Sequence, residues 1–135
     1  MEDDELERIR IRKFEAFMKS IESRNMELMI SEPILVTDTS FDSIVSEHPF
    51  LVLDCWAIWC GPCRMITPIV DDLARTYKGK IAFGKLNVDE NPKTAIRFNV
   101  TSIPTLLLFK EGKLVDRIIG VVPRNDIEAI LRKYL

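Results

Sequence analysis

Three cysteines, Cys55, Cys60 and Cys63, fall within nine positions of a 135-residue chain. An odd number clustered this tightly cannot staple distant loops, so a structural disulfide framework is excluded and local thiol chemistry remains. Cys60 and Cys63 stand three apart in Trp59-Cys60-Gly61-Pro62-Cys63, where an apolar run passes into a helical pattern. At a helix start that spacing puts two thiols within disulfide reach. Unpaired N–H groups and the helix dipole favour a thiolate on the first. Cys60, at the exposed amino end, is the expected nucleophile; Cys63, one turn deeper and less accessible, is placed to attack a mixed disulfide formed there. Half a zinc site is the bland alternative. Zinc takes four ligands, and the chain offers a single histidine, His48, and no second cysteine pair. Cys55 reads as a small buried hydrophobe.

Such a pair needs a strand and a helix to hold it. Residues 50–57 form an apolar run broken only by Asp54, which suits a central strand covered on both faces. A helix follows over about 60–77, with Met65, Ile66, Ile69, Val70 and Leu73 at helical spacing, an expected kink at Pro68 and a stop at Lys78-Gly79-Lys80. Upstream, residues 34–36 predict a short strand, and Thr39 or Ser40 can cap a helix over 41–47. Downstream the pattern predicts a strand at 81–88, a short helix from Pro92 to about 98, strands at 105–110 and 114–119 around Glu111-Gly112-Lys113, and a last helix at 124–134. Strand–helix alternation ending in a hairpin and a helix predicts an α/β fold, a mixed sheet with helices on both faces.

Residues 1–31 have a different texture, rich in charge and in good helix formers and free of Gly and Pro. On a helix, Leu6, Ile11, Phe14, Phe17, Met18, Ile21, Leu28 and Met29 share one face, interrupted by Glu7, Arg10, Arg24 and Asn25. Pro33 ends the segment. A bare helix of this length is marginal in water, so its apolar face is expected to pack on its own domain or to mediate a homodimer. The chain thus divides into a helical extension, 1–31, and a domain, 32–135. Nineteen basic against twenty-one acidic residues give a net charge of -2, which argues against nucleic acid or a membrane surface as partner. No apolar run approaches a membrane span, and the acidic start differs from a secretory signal, so a cytoplasmic location is expected.

Asp54-Cys55-Trp56-Ala57, Trp59-Cys60-Gly61-Pro62-Cys63, Lys85-Leu86-Asn87-Val88-Asp89 and Ile103-Pro104-Thr105 occur in an order and spacing that resembles thioredoxin, from about Ile34 to the carboxyl terminus. The resemblance implies a thioredoxin fold of five mixed strands flanked by four helices, here with the extra amino-terminal helix. It implies reversible dithiol–disulfide exchange on disulfide-containing proteins, with re-reduction by a thioredoxin reductase and no metal or organic cofactor. Residue by residue, Cys60 and Cys63 match the redox pair, Asp54 the buried carboxylate that assists the resolving cysteine, and Lys85 its neighbour. An isolated carboxylate on the central strand should have a raised pKa unless Lys85 offsets the desolvation. Trp56 and Trp59 match the aromatics around the motif. Ile103 and Pro104 match a cis-proline loop whose backbone pairs with an extended substrate, while Gly61, Pro62 and Gly120 complete the docking surface. Three positions depart from the common pattern: Cys55 in place of an aromatic, Ile58 in place of an acidic residue, and Ser102 in place of a glycine. They leave the chemistry and touch specificity. A docking or electron-relay module is the alternative function; an oxidase or isomerase is disfavoured by Gly-Pro between the cysteines.

Overall fold

A computed structural model describes the backbone of residues 2–135 and the side chains of residues 5–21 and 32–135. After the leading helix α1 (Glu2–Ser31) come β1 (Ile34–Val36), α2 (Phe41–Glu47), β2 (Phe50–Trp56), α3 (Gly61–Thr76) and β3 (Ala82–Asn87). The chain then runs through α4 (Pro92–Arg97), β4 (Thr105–Lys110), β5 (Lys113–Ile119) and α5 (Arg124–Arg132). Each element lies within about two residues of its expected place, because proline or glycine marks most of the boundaries. No helix among the described residues is long and apolar enough to cross a membrane.

The five strands stand in the order β1-β3-β2-β4-β5. β1 and β2 run parallel to β3, while β4 is antiparallel to β2 and to β5. β2 is therefore central, and its run from Phe50 to Cys55 is buried throughout. Side chains alternate across it. Phe50 and Val52 pack with Ile66 and Val70 of α3 and Ile127 and Leu131 of α5. Leu51, Leu53 and Cys55 pack on the other side with Phe41 and Val45 of α2 and with Phe98 after α4. On that second side β1 and β2 close tightly over β3: a Cβ on Gly84 would stand 2.7 Å from Val36 Cγ2 and 3.2 Å from Leu53 Cδ1.

Two local expectations change. Ser40 takes the N-cap position of α2, yet its hydroxyl accepts from the Thr37 N–H at 2.9 Å instead of capping the helix. In the β4–β5 turn both Glu111 and Gly112 adopt positive φ, at 51° and 79°. That geometry follows the twist of the hairpin. The Glu111 N–H is held by the Pro49 carbonyl at 2.8 Å.

Helix α1 contributes no described side chain to either of the two apolar clusters that flank the sheet. It touches the body of the fold at α3, but every described side chain from Glu5 to Ser20 is exposed. Leu6, Ile11, Phe14, Phe17 and Met18, expected to pack on the chain's own domain or on a second copy, all face water in the single chain. The sheet already has both faces covered by α2 to α5.

Candidate active site

The apolar strand β2 delivers the chain to the amino end of α3, and the redox pair sits at that junction. Cys60 is the N-cap of α3, with φ -86° and ψ 107°, and Pro62 occupies the first turn. Proline fits there because its missing N–H would have no helical acceptor. Cys60 and Cys63 are joined as a disulfide, with Cα atoms 5.3 Å apart. The Cys63 N–H points at Cys60 Sγ at 3.2 Å. In the reduced state an N–H aimed at this sulfur, at a helix start, stabilises a thiolate on it.

Exposure does not separate the two cysteines in the disulfide form. Cys60 is 3% and Cys63 2% exposed. The disulfide is closed under a small apolar cluster in which Ala57, Trp56, Val88 and Ile103 pack around both cysteines. Position distinguishes them instead: Cys60 is the N-cap of α3, with its Sγ 3.8 Å from the Ile103 carbonyl oxygen, and Cys63 lies inside the helix.

That loop carries a cis peptide between Ile103 and Pro104, as expected. Thr105 Oγ1 donates to the Ser102 carbonyl at 2.6 Å, and the Gly120 N–H donates to the Pro104 carbonyl at 2.9 Å. Gly120 has φ +84° and open space where a Cβ would stand, so the backbone angle, not crowding, favours glycine there. Trp59 is 70% exposed and is anchored by its indole N–H, which donates to Asp89 Oδ2 at 2.8 Å. Beside it, Trp59, Val88, Val100, Thr101, Ser102 and Ile103 line a groove of about 270 Å³. Ile58, the residue before Trp59, is exposed, and Gly61 has nothing within 4 Å of its Cβ direction.

Asp54 lies on β2 opposite Lys85 of β3 in the parallel register. It is 1% exposed, and its Oδ1 has no hydrogen-bond partner. Burial pushes its carboxyl from an ordinary 3.8 up to about 7; Lys85 pulls it back, and Asp71 adds to the rise. The rise expected of a carboxylate that Lys85 does not fully offset is therefore present. Lys85 offsets the desolvation only in part, because its Nζ is engaged by Asp71 Oδ1 of α3 at 3.1 Å. Asp71 escaped sequence reasoning; its one signal was a carboxylate directly after the buried Val70, on the flank of the helix that covers Asp54's face. Cys55 points to the opposite face. Burial first, then the Asp54 charge, push its thiol up to about 12 against the pull of Arg117.

The thioredoxin family model matches residues 32–133. A thioredoxin from Synechocystis is 51% identical over 102 residues, 74% of this chain and 94% of the relative. One from Staphylococcus aureus is 49% identical over 102 residues, 76% of this chain and 97% of the relative. A chloroplastic M-type thioredoxin from Pisum sativum is 50% identical, covering 78% of this chain and 62% of the relative. Among solved structures, a mutant thioredoxin from Halobacterium salinarum superposes with a TM-score of 0.72 at 33% identity, over 78% of this chain and 92% of that one. The matched stretch contains the whole sheet, the α3 start with its disulfide and the proline loop: the chain belongs to the thioredoxin family, and its activity is thiol–disulfide exchange.

Proposed function

We propose that the chain works chiefly as a protein-disulfide reductase, with Cys60 as nucleophile and Cys63 as resolving thiol. The supporting observation is the Cys60–Cys63 disulfide at the α3 start, with Cys60 Sγ against the Ile103 carbonyl and an apolar groove alongside. An extended substrate segment pairs with the backbone at Ile103 and Pro104 and rests on Trp59, Gly61, Pro62 and Gly120. The Cys60 thiolate attacks one sulfur of the substrate disulfide, and the other leaves as a thiolate. Cys63 then gives its proton to Asp54 and attacks Cys60 Sγ, which releases the second substrate thiolate. Two electrons pass from the Cys60–Cys63 dithiol to the substrate, and a thioredoxin reductase restores the dithiol. Two sulfurs carry both electrons, so the step calls on no metal or organic cofactor.

Lys85, held by Asp71, tunes Asp54 without touching substrate. Residues 32–135 make the redox domain and residues 1–31 a separate interaction element, which pairs with a second copy. A cytoplasmic location, where thiols are kept reduced, suits this chemistry. Insulin reduction by dithiothreitol tests the reading. The protein should accelerate it, Cys60→Ser should abolish the acceleration, and Cys63→Ser should accumulate mixed disulfides with substrate through Cys60. Acceleration that survives Cys60→Ser would overturn the assignment.

A further inference from the structure

Helix α1 presents a seam that the rest of the chain leaves uncovered. Ile11, Phe14 and Met18 are 55%, 65% and 42% exposed, and with Ile21 they repeat at the 3–4–3 spacing of a two-stranded coiled coil. Ile11 and Met18 take the a positions, and Phe14 and Ile21 the d positions. Phe17, 62% exposed, flanks the seam at g. Arg12, Lys13, Lys19 and Ser20 fall at b and c, on the water side. From this arrangement we infer that the chain dimerises through α1, as a parallel coiled coil with a second copy of itself.

Charge decides the orientation. In a parallel pair the g residue of one helix meets the e residue five positions on in the other. Arg10 at g then meets Glu15 at e, twice by symmetry. An antiparallel pair that keeps the same seam in register centres near residue 16 and sets Glu15 beside its own copy, a like-charge contact. Size sets the strength. The exposed parts of Ile11, Phe14, Phe17 and Met18 come to roughly 500 Å² per helix, so pairing covers at most about 1,000 Å², below the roughly 1,200 Å² of stable specific interfaces and in the range of transient ones. The dimer should therefore be reversible and depend on concentration. This inference rests on the reading of residues 1–31 as an interaction element separate from the redox site, so assembly and chemistry are measured apart.

The test is analytical ultracentrifugation of the full chain, with insulin reduction run in parallel. Between about 1 and 200 µM the average mass should rise from 15.6 kDa toward twice that value. Met18→Glu should weaken association at least tenfold and leave insulin reduction unchanged, since the side chain is exposed and far in sequence from the cysteines. Glu15→Arg should also weaken it, and Arg10→Glu combined with Glu15→Arg should restore it. A 15.6 kDa species at every concentration would overturn the inference whatever the enzyme assay shows. So would a dimer indifferent to Met18→Glu, or a charge swap that fails to rescue, which would leave the parallel pairing without support.

Discussion

Asp54→Asn should make the protein more stable, by an amount that grows with pH. The carboxyl has a folded value of about 7 against an ordinary 3.8, so the folded state holds its proton where the unfolded chain has lost it. Below about pH 4 both states are protonated and the group costs nothing. Between about 4 and 7 the unfolded chain binds fewer protons, and stability falls by about 1.4 kcal/mol per pH unit. Above about 7 the loss levels off at about 4 kcal/mol, an order-of-magnitude figure for a carboxylate that is 1% exposed. Asparagine does not titrate there. Its amide, in a place where Asp54 Oδ1 already lacks a partner, adds a cost that is the same at every pH and drops out of the comparison. Denaturant unfolding of the oxidised protein and the variant at pH 4, 6 and 8 measures the gap. It should widen by several kcal/mol from pH 4 to pH 8, while the variant's resolving step slows by about 100-fold. A gap that is flat across this range would show that burial does not hold the proton on Asp54.

Two further perturbations probe the neighbours of the same strand. Asp71→Asn removes a charge that raises Asp54 and frees Lys85, which stands 3.1 Å from Asp71. Both effects favour the carboxylate, so the acid limb of the reduction pH profile should move down by about half a pH unit, kept small because both partners meet solvent; an upward move would refute the placement of Lys85 between the two acids. Cys55, fully buried and pushed up to about 12, should resist iodoacetamide at pH 8 in the folded reduced protein and react only after denaturation. Mass mapping that finds it labelled alongside Cys60 in the native state would count against its burial.

Sequence reasoning reached whatever is written along one stretch of chain. The bounds of β2 and α3 were readable because Pro49 precedes one, Pro62 opens the other and Gly79 closes the turn behind it. The redox pair was readable because its chemistry is local. What escaped was built by residues distant in sequence. Asp71 meets Lys85 across two elements. Asp38, between β1 and α2, accepts from the Thr94 N–H at 2.8 Å and caps α4, while its own N–H is held by Asn91 Oδ1 at 2.9 Å. Asp89 anchors Trp59 from thirty residues away. No periodicity records such contacts. The extension was legible as a helix and its cover was not: an apolar stripe says that something must cover a helix, and nothing about whether that cover lies on the same chain.

The strand β2 also explains why one molecule can hold three thiols and a carboxylate within ten residues and use only some of them for exchange. Alternation sends Cys55 to the side closed by α2 and α4, among Leu51, Leu53 and Leu107, where a thiolate has no positive neighbour close enough to outweigh burial. Asp54, one position earlier, turns to the side of α3, the helix that carries Cys63 and Asp71. Trp56, two positions later, shares that side, and its indole N–H, like Asp54 Oδ1, is buried without a partner. Both unsatisfied groups therefore lie on the face that leads to the disulfide, and the opposite face is apolar and inert. A buried carboxylate costs stability, which a fold tolerates where a proton has to move, as at Asp54. A swap that exchanged the residues at 54 and 55 would keep the composition and lose the function, because strand parity, more than residue type, decides which side chain faces the helix start.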